Sequence, residues 1–133
     1  MHITKDNIGE FIEGSTMDCS DKGITRLEYI PDGITSLWCE HNQLTELPKL
    51  PESLTHLSCE NNKLTSISKL PESLIGLYCR SNKLTELPKL PESLKYLDCI
   101  NNNLPYEVTI DNFKEHNTLL KRKQILEKIR LYH

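Results

Sequence analysis

No stretch of this 133-residue chain is long and apolar enough to serve as a transmembrane helix, which takes about 20 consecutive apolar residues. A secretory leader would be basic and then apolar, whereas Met1 to Gly14 carries Lys5, Asp6, Glu10 and Glu13. C-x-x-C pairs are missing too, so no short segment offers two close thiolates to a metal or a redox couple. Basic runs are down to one, Lys121-Arg122-Lys123, in a tail with 6 basic and 4 acidic residues from Leu104 on, after 10 basic and 15 acidic residues before it. Nucleic acid is therefore a weak candidate partner. The basic run reads as a nuclear-import or phosphate contact or, more plainly, as a solvated helix face. At 37% apolar and 26% charged, the composition suits one small domain. The expectation is an intracellular protein without membrane partner whose odd number of cysteines stays reduced.

What is present is a period. Cys19, Cys39, Cys59, Cys79 and Cys99 fall twenty residues apart, and the sequence around them repeats in step. In register, the units run Ile24 to Gln43, Leu44 to Lys63, Leu64 to Lys83 and Leu84 to Asn103, the last three near copies of one another. A degenerate coil precedes them, where Met17, Cys19 and Ile24 keep the apolar beat but Lys22 replaces asparagine. Leu54, Leu57, Cys59, Asn62 and Leu64 match L-x-x-L-x-L-x-x-N-x-L with cysteine in the sixth place. The fuller pattern, L-T-x-L-P-x-L-P-x-S-L-x-x-L-x-C-x-x-N, resembles the short leucine-rich repeats of secreted bacterial effectors and, more closely, those of giant DNA viruses. This covers Met17 to Leu104. The resemblance implies a curved parallel-stranded solenoid that binds macromolecules without chemistry of its own, in the host cytoplasm if the source is viral. Some bacterial relatives append a ubiquitin ligase with a catalytic cysteine, but no cysteine follows Cys99 here.

The repeat also predicts its fold from its residues. Leu57 and Cys59 alternate with His56, Ser58 and Glu60, which places the first pair inside a very short strand and the others on its open face. Asn62 can satisfy backbone groups where the chain turns away, and Asn42, Asn82 and Asn102 can do so one coil apart. The return, Leu47-Pro48-Lys49-Leu50-Pro51-Glu52-Ser53, is too rich in proline for a helix and should be extended and polyproline-like.

In-register strands point the five cysteines the same way, so they sit side by side rather than converging on a metal. They read as structural packing residues. No cofactor or metal is expected, and no nucleophile and base converge for an enzyme. The ladders Lys49, Lys69, Lys89 and Glu52, Glu72, Glu92 read as a solubilising face.

Terminal segments should cap the solenoid, which gives an N-terminal cap over 1–16, repeats over 17–104 and a helical C-terminal cap over 105–133. In the tail, Asp111 is the expected N-cap, and Leu119, Ile125, Leu126, Ile129 and Tyr132 form one apolar face with Phe113, with a bend near His116-Asn117. At the other end Ile3, Ile8, Phe11 and Ile12 suggest a thinner cap closed by Gly14. If it is incomplete, the first strand is an open edge through which two copies pair as a homodimer.

Function is sought on the open face. The outward positions are Thr16, Asp18, Ser20; Ser36, Trp38, Glu40; His56, Ser58, Glu60; Gly76, Tyr78, Arg80; and Tyr96, Asp98, Ile100. Trp38, Tyr78 and Tyr96 resemble anchors around a shallow dip at Ser58 and Gly76, flanked by Glu40, Glu60 and Arg80. The sequence thus predicts a capped leucine-rich-repeat solenoid recognising a protein partner through Trp38, Glu40, His56, Glu60, Tyr78, Arg80, Tyr96 and Asp98. A structural, self-assembling repeat protein is the alternative, and a thiol- or metal-binding protein the weaker one.

Overall fold

The computed structural model describes residues 1–131; Tyr132, expected on the tail helix, lies outside the described residues. In chain order it contains β1 (His2–Ile3), a 3-10 turn (Ile8–Phe11), β2 (Ile12–Glu13), β3 (Thr16–Asp18), β4 (Arg26–Leu27), β5 (Ser36–Trp38), β6 (His56–Ser58), β7 (Gly76–Tyr78), β8 (Tyr96–Asp98) and α1 (Phe113–Leu131). Strands β3, β5, β6, β7 and β8 stack in parallel, with Met17, Leu37, Leu57, Leu77 and Leu97 in one column. Each step is one coil of twenty residues. Three-residue strands suffice because only this part of the repeat alternates, and the central side chain of each inner strand is fully buried. Cys19, Cys39, Cys59, Cys79 and Cys99 form the next buried column, while the leucines at 44, 64 and 84 and at 54, 74 and 94 fill the interior.

The strand ends in a sharp turn that recurs at one position per coil. Asp21, His41, Asn61, Ser81 and Asn101 have φ between 53° and 60°. Short polar side chains tolerate this left-handed conformation better than most. The turn brings the following asparagine inward, where it is almost fully buried in the inner coils. Asn62 Oδ1 accepts from Leu44 N at 2.9 Å, and its Nδ2 donates to Cys39 O at 3.0 Å and Cys59 O at 3.1 Å. Asn42, Asn82 and Asn102 repeat this bridge to the preceding coil.

On the return side, the proline-rich segments contain no helix. They close with a turn at Pro51–Leu54 and its copies, where Leu54 N donates to Pro51 O at 3.1 Å. The serine of that turn makes a second ladder: the hydroxyls of Ser53, Ser73 and Ser93 donate to Ile34 O, Leu54 O and Leu74 O at 2.7–2.8 Å.

Both ends depart from expectation. At the N-terminus β2 folds back antiparallel on β3. Gly14, at φ 62°, holds the first position of the two-residue turn, where a tight hairpin favours glycine. Meanwhile β1 pairs in parallel with β4 on the return side, and Ile3 is fully buried. The cover is therefore two-sided rather than thin, and the open first edge invoked for a homodimer is occupied by β2. The two edge strands of the six-stranded sheet are thus the short β2 and, at the other end, β8.

At the C-terminus, Asn112 rather than Asp111 precedes α1. Its carbonyl accepts from Glu115 N and His116 N, and its side chain accepts from Thr109 N. Only the first two turns of α1 seal the last coil. Phe113 and His116 are buried, and Asn117 bonds both N and O of Leu90. His116 Nε2 lies 3.1 Å from Pro88 O and its Nδ1 lies 2.7 Å from the Tyr106 hydroxyl. A carbonyl can only accept, so Nε2 carries the proton. The expected bend at His116-Asn117 is absent, because these two residues dock an uninterrupted helix. Leu119, Ile125, Leu126 and Ile129 are 47–61% exposed instead of covering the core. They share the helix with Lys121, Arg122, Lys123, Lys128 and Arg130, and every described residue from Lys121 on is exposed.

Candidate functional site

The sheet presents its outward side chains in three rows. Ser36, His56, Gly76 and Tyr96 align in one, and Trp38, Ser58, Tyr78 and Asp98 in the next, with Asp18 heading it. Glu40, Glu60 and Arg80 follow two residues beyond the second row. Neighbours within a row are about 4.8 Å apart. Tyr96 therefore stands diagonal to Tyr78, not in line with it.

The shallow dip expected at Ser58 and Gly76 is filled. Ser58 is only 7% exposed although it faces outward, because half-buried Trp38 and Tyr78 flank it in register. A Cβ on Gly76 would lie 3.0 Å from His56 Cδ2 and 3.2 Å from Tyr78 Cε2, so those two rings close over it. Tyr96, at 55% exposure, is the one freely standing aromatic of the three.

The charged residues divide by end. Arg80 Nε donates to Asp98 Oδ2 at 2.9 Å across one coil step, so this pair is already matched. Glu40 and Glu60 belong to none of the ion pairs among the described residues. Glu40 Oε2 is buried without a hydrogen-bond partner. His56 Nδ1 rests 3.1 Å from the Thr55 hydroxyl.

The hairpin adds a feature that the strand positions alone did not expose. Glu10, Phe11, Ile12, Glu13, Thr16, Asp18 and Trp38 line an open cleft of about 650 Å³ at the N-terminal end of the face. Glu13 pairs opposite Thr16 and so shares its side of the sheet. Asp18 is held below the usual carboxylate range by hydrogen bonds from the Ser20 hydroxyl and amide, against a smaller burial effect, with Lys22 adding a weaker attraction. It is ionised at neutral pH.

The thiols lie behind this surface. All five are free and buried. Burial pushes Cys19 and Cys59 up to about 12, with nearby carboxylates adding to it, and pushes Cys39 up as well. Interaction between the neighbouring Cys79 and Cys99 thiols, together with burial, raises Cys79, and the same interaction draws Cys99 down against its own burial. Cys99 also donates to Val108 O at 2.9 Å. No group of three metal-ligating side chains converges among the described residues, and no described helix is long and apolar enough to cross a membrane.

Solved structures share this geometry. YopM from Yersinia enterocolitica WA-314 superposes with a TM-score of 0.61 at 36% identity, over 65% of this chain and 20% of that one. A Shigella effector leucine-rich-repeat domain superposes with a TM-score of 0.54 at 26% identity, over 80% of this chain and 57% of that one. The fold is a leucine-rich-repeat solenoid. The chain thus spans about a fifth of the first protein and just over half of the second. No protein-family model matches it, and no curated sequence does.

Proposed function

We propose that this solenoid is a protein-recognition module without catalytic activity, metal or cofactor, and that its partner docks on the concave strand face. The observation that carries this reading is the division of labour within each coil. Leucine, cysteine, asparagine and serine repeat to build the frame, whereas the outward positions differ from coil to coil and hold the aromatic and charged residues. Likeness to effector repeat domains supports a protein-interaction module. Within it, Trp38, His56, Tyr78 and Tyr96 offer amphipathic contact area, and Glu40, Glu60, Arg80 and Asp98 set its polarity. A host-cytoplasmic setting, with repeats of the giant-virus type, belongs to this proposal, as does division into two caps and a repeat body. Footprinting a captured complex by hydroxyl-radical labelling tests it. The partner should protect Tyr96 and Tyr78 and leave the accessible Tyr29, Leu47 and Pro48 on the return side unchanged. Protection confined to the return side overturns the reading.

A further inference from the structure

The concave face is unevenly charged. Glu13, Asp18, Glu40 and Glu60 crowd its N-terminal half, where Lys22 attracts Asp18 only weakly, and Arg80 further along is already bound to Asp98. The described ion pairs are Arg26–Glu28, Arg80–Asp98 and Lys114–Glu92, so these four carboxylates are matched by none of them. Like charges one coil apart repel, and a folded chain tolerates them more easily when something else supplies the counter-charge. Two further observations give that counter-charge a shape. The cleft beside Asp18 has an aromatic wall, Phe11 and Trp38, and a carboxylate rim, Glu10, Glu13 and Asp18, while Ile12 between them turns inward opposite Met17. Two residues beyond Trp38, outside the cleft, Glu40 is half-buried and its Oε2 lacks a donor from the chain. A shielded acceptor without a donor is costly, which favours a hydrogen-bond donor beside this carboxylate.

Resting on the concave-face reading above, we propose that the partner presents a basic segment to this half of the face. One lysine or arginine side chain enters the cleft, its stem against Phe11 and its charged head between Trp38 and the carboxylates Glu13 and Asp18. A second cationic or amide donor meets the solvent-accessible part of the half-buried Glu40 carboxylate. The chemistry is consistent at each contact: long cationic side chains bury an apolar stem, a guanidinium stacks on an indole, and charged hydrogen bonds to carboxylates are the stronger kind. A divalent cation is not the occupant, because the carboxylates do not converge in a ligand set among the described residues.

Trp38 is the single tryptophan of the chain and lines the cleft, so its fluorescence reports on the site directly. The probe is an acetylated, amidated nonapeptide of alternating arginine and glycine, with the glutamate and glycine peptide as control, in about 0.1 M salt. The arginine peptide should give a saturable change and the glutamate peptide none. The E13Q/D18N/E40Q variant should weaken binding at least about tenfold. The E52Q/E72Q/E92Q variant, which removes as much charge from the return face, should leave it unchanged, and thermal melts check that both variants stay folded. No saturable change, or equal losses in the two variants, overturns the proposal. So does salt-sensitive self-association abolished by K121E/R122E/K123E, which would make the basic helix of a second copy the occupant. A captured partner that protects the concave aromatics yet binds E13Q/D18N/E40Q like wild type overturns this inference alone and leaves the concave-face reading standing.

Discussion

Replacing Asn62 by alanine probes the asparagine ladder where it is most buried, and the hydrogen-bond pattern sets the cost. The side chain holds Leu44 N at 2.9 Å and donates to Cys39 O, Cys59 O and Glu60 O. The three carbonyls are shared: Asn42 also donates to Cys39 O, Asn82 to Cys59 O, and His41 N to Glu60 O. Only Leu44 N is left with no partner. An orphaned buried donor costs about 1–3 kcal/mol, and thinning the three shared acceptors adds about another 1, so the expected loss is about 2–4 kcal/mol. Asn102, in the last coil, makes the same kind of bonds but is less buried, and water can replace them. Asn102→Ala should cost about 1 kcal/mol. Urea unfolding of the two variants measures the difference, provided the slope with denaturant is unchanged. Asn62→Asp adds a sign. It keeps an acceptor for Leu44 N but sets a carboxylate among carbonyl oxygens, so its folded pKa is raised above the unfolded value near 3.9. Its destabilisation should be large at pH 7 and shrink as pH falls toward 4. Equal losses for Asn62→Ala and Asn102→Ala, or a loss below about 1 kcal/mol for the first, would refute the ladder argument.

Leu57→Ala, at a fully buried strand centre, should cost about 2–5 kcal/mol in the same assay, and Cys59→Ala clearly less. In the folded protein, thiol reagents followed by mass spectrometry should label Cys99 before Cys39 or Cys59, because its pKa is drawn down and it is the least buried of the five. For Cys59, raised from 9.0 to about 12, the stability gained from keeping the thiol neutral is whole below pH 9 and lost as pH rises toward 12. Stability above pH 9 should therefore fall less steeply in Cys59→Ala than in wild type, by about 1.4 kcal/mol per pH unit. At the C-terminal end, Phe113→Ala should cost about 3–5 kcal/mol, whereas Leu126→Ser or Ile129→Ser should stay within about 0.5 kcal/mol, as thermal melts can verify.

The solenoid was legible because one apolar beat recurs often enough to exclude other periods. Alternation in L-x-x-L-x-C predicted which strand residues turn inward, and the asparagine column predicted the bonded turn. The serine ladder was equally visible in the repeated P-E-S-L but has no apolar signature, so its bond to the preceding coil emerged only in three dimensions. The termini read poorly because nothing repeats there. A stripe of leucine and isoleucine on α1 looked like core, yet the coil it meets is narrow, and Phe113 with His116 and Asn117 already closes it. The cleft escaped for a related reason. Glu10, Phe11 and Glu13 reach Trp38 only because Gly14 reverses the chain, and a hairpin one residue longer or shorter would have turned Glu13 to the other side. The supposed dip failed on side-chain size, since small residues between large ones are covered rather than exposed.

The claim that the concave face is the working surface is tested most directly by partner affinity in two triple variants. Trp38, Tyr78 and Tyr96 changed together to alanine should abolish most of a moderate affinity, because each truncated anchor in a desolvated patch costs about 2 kcal/mol or more. The fold should survive, with about 1 kcal/mol lost at each of the half-buried Trp38 and Tyr78. Lys49, Lys69 and Lys89 changed together to alanine on the return face should leave binding nearly intact at physiological salt. The account predicts loss in the first variant and retention in the second; retention in the first with loss in the second would contradict it and make the return-face charge ladder the recognition surface.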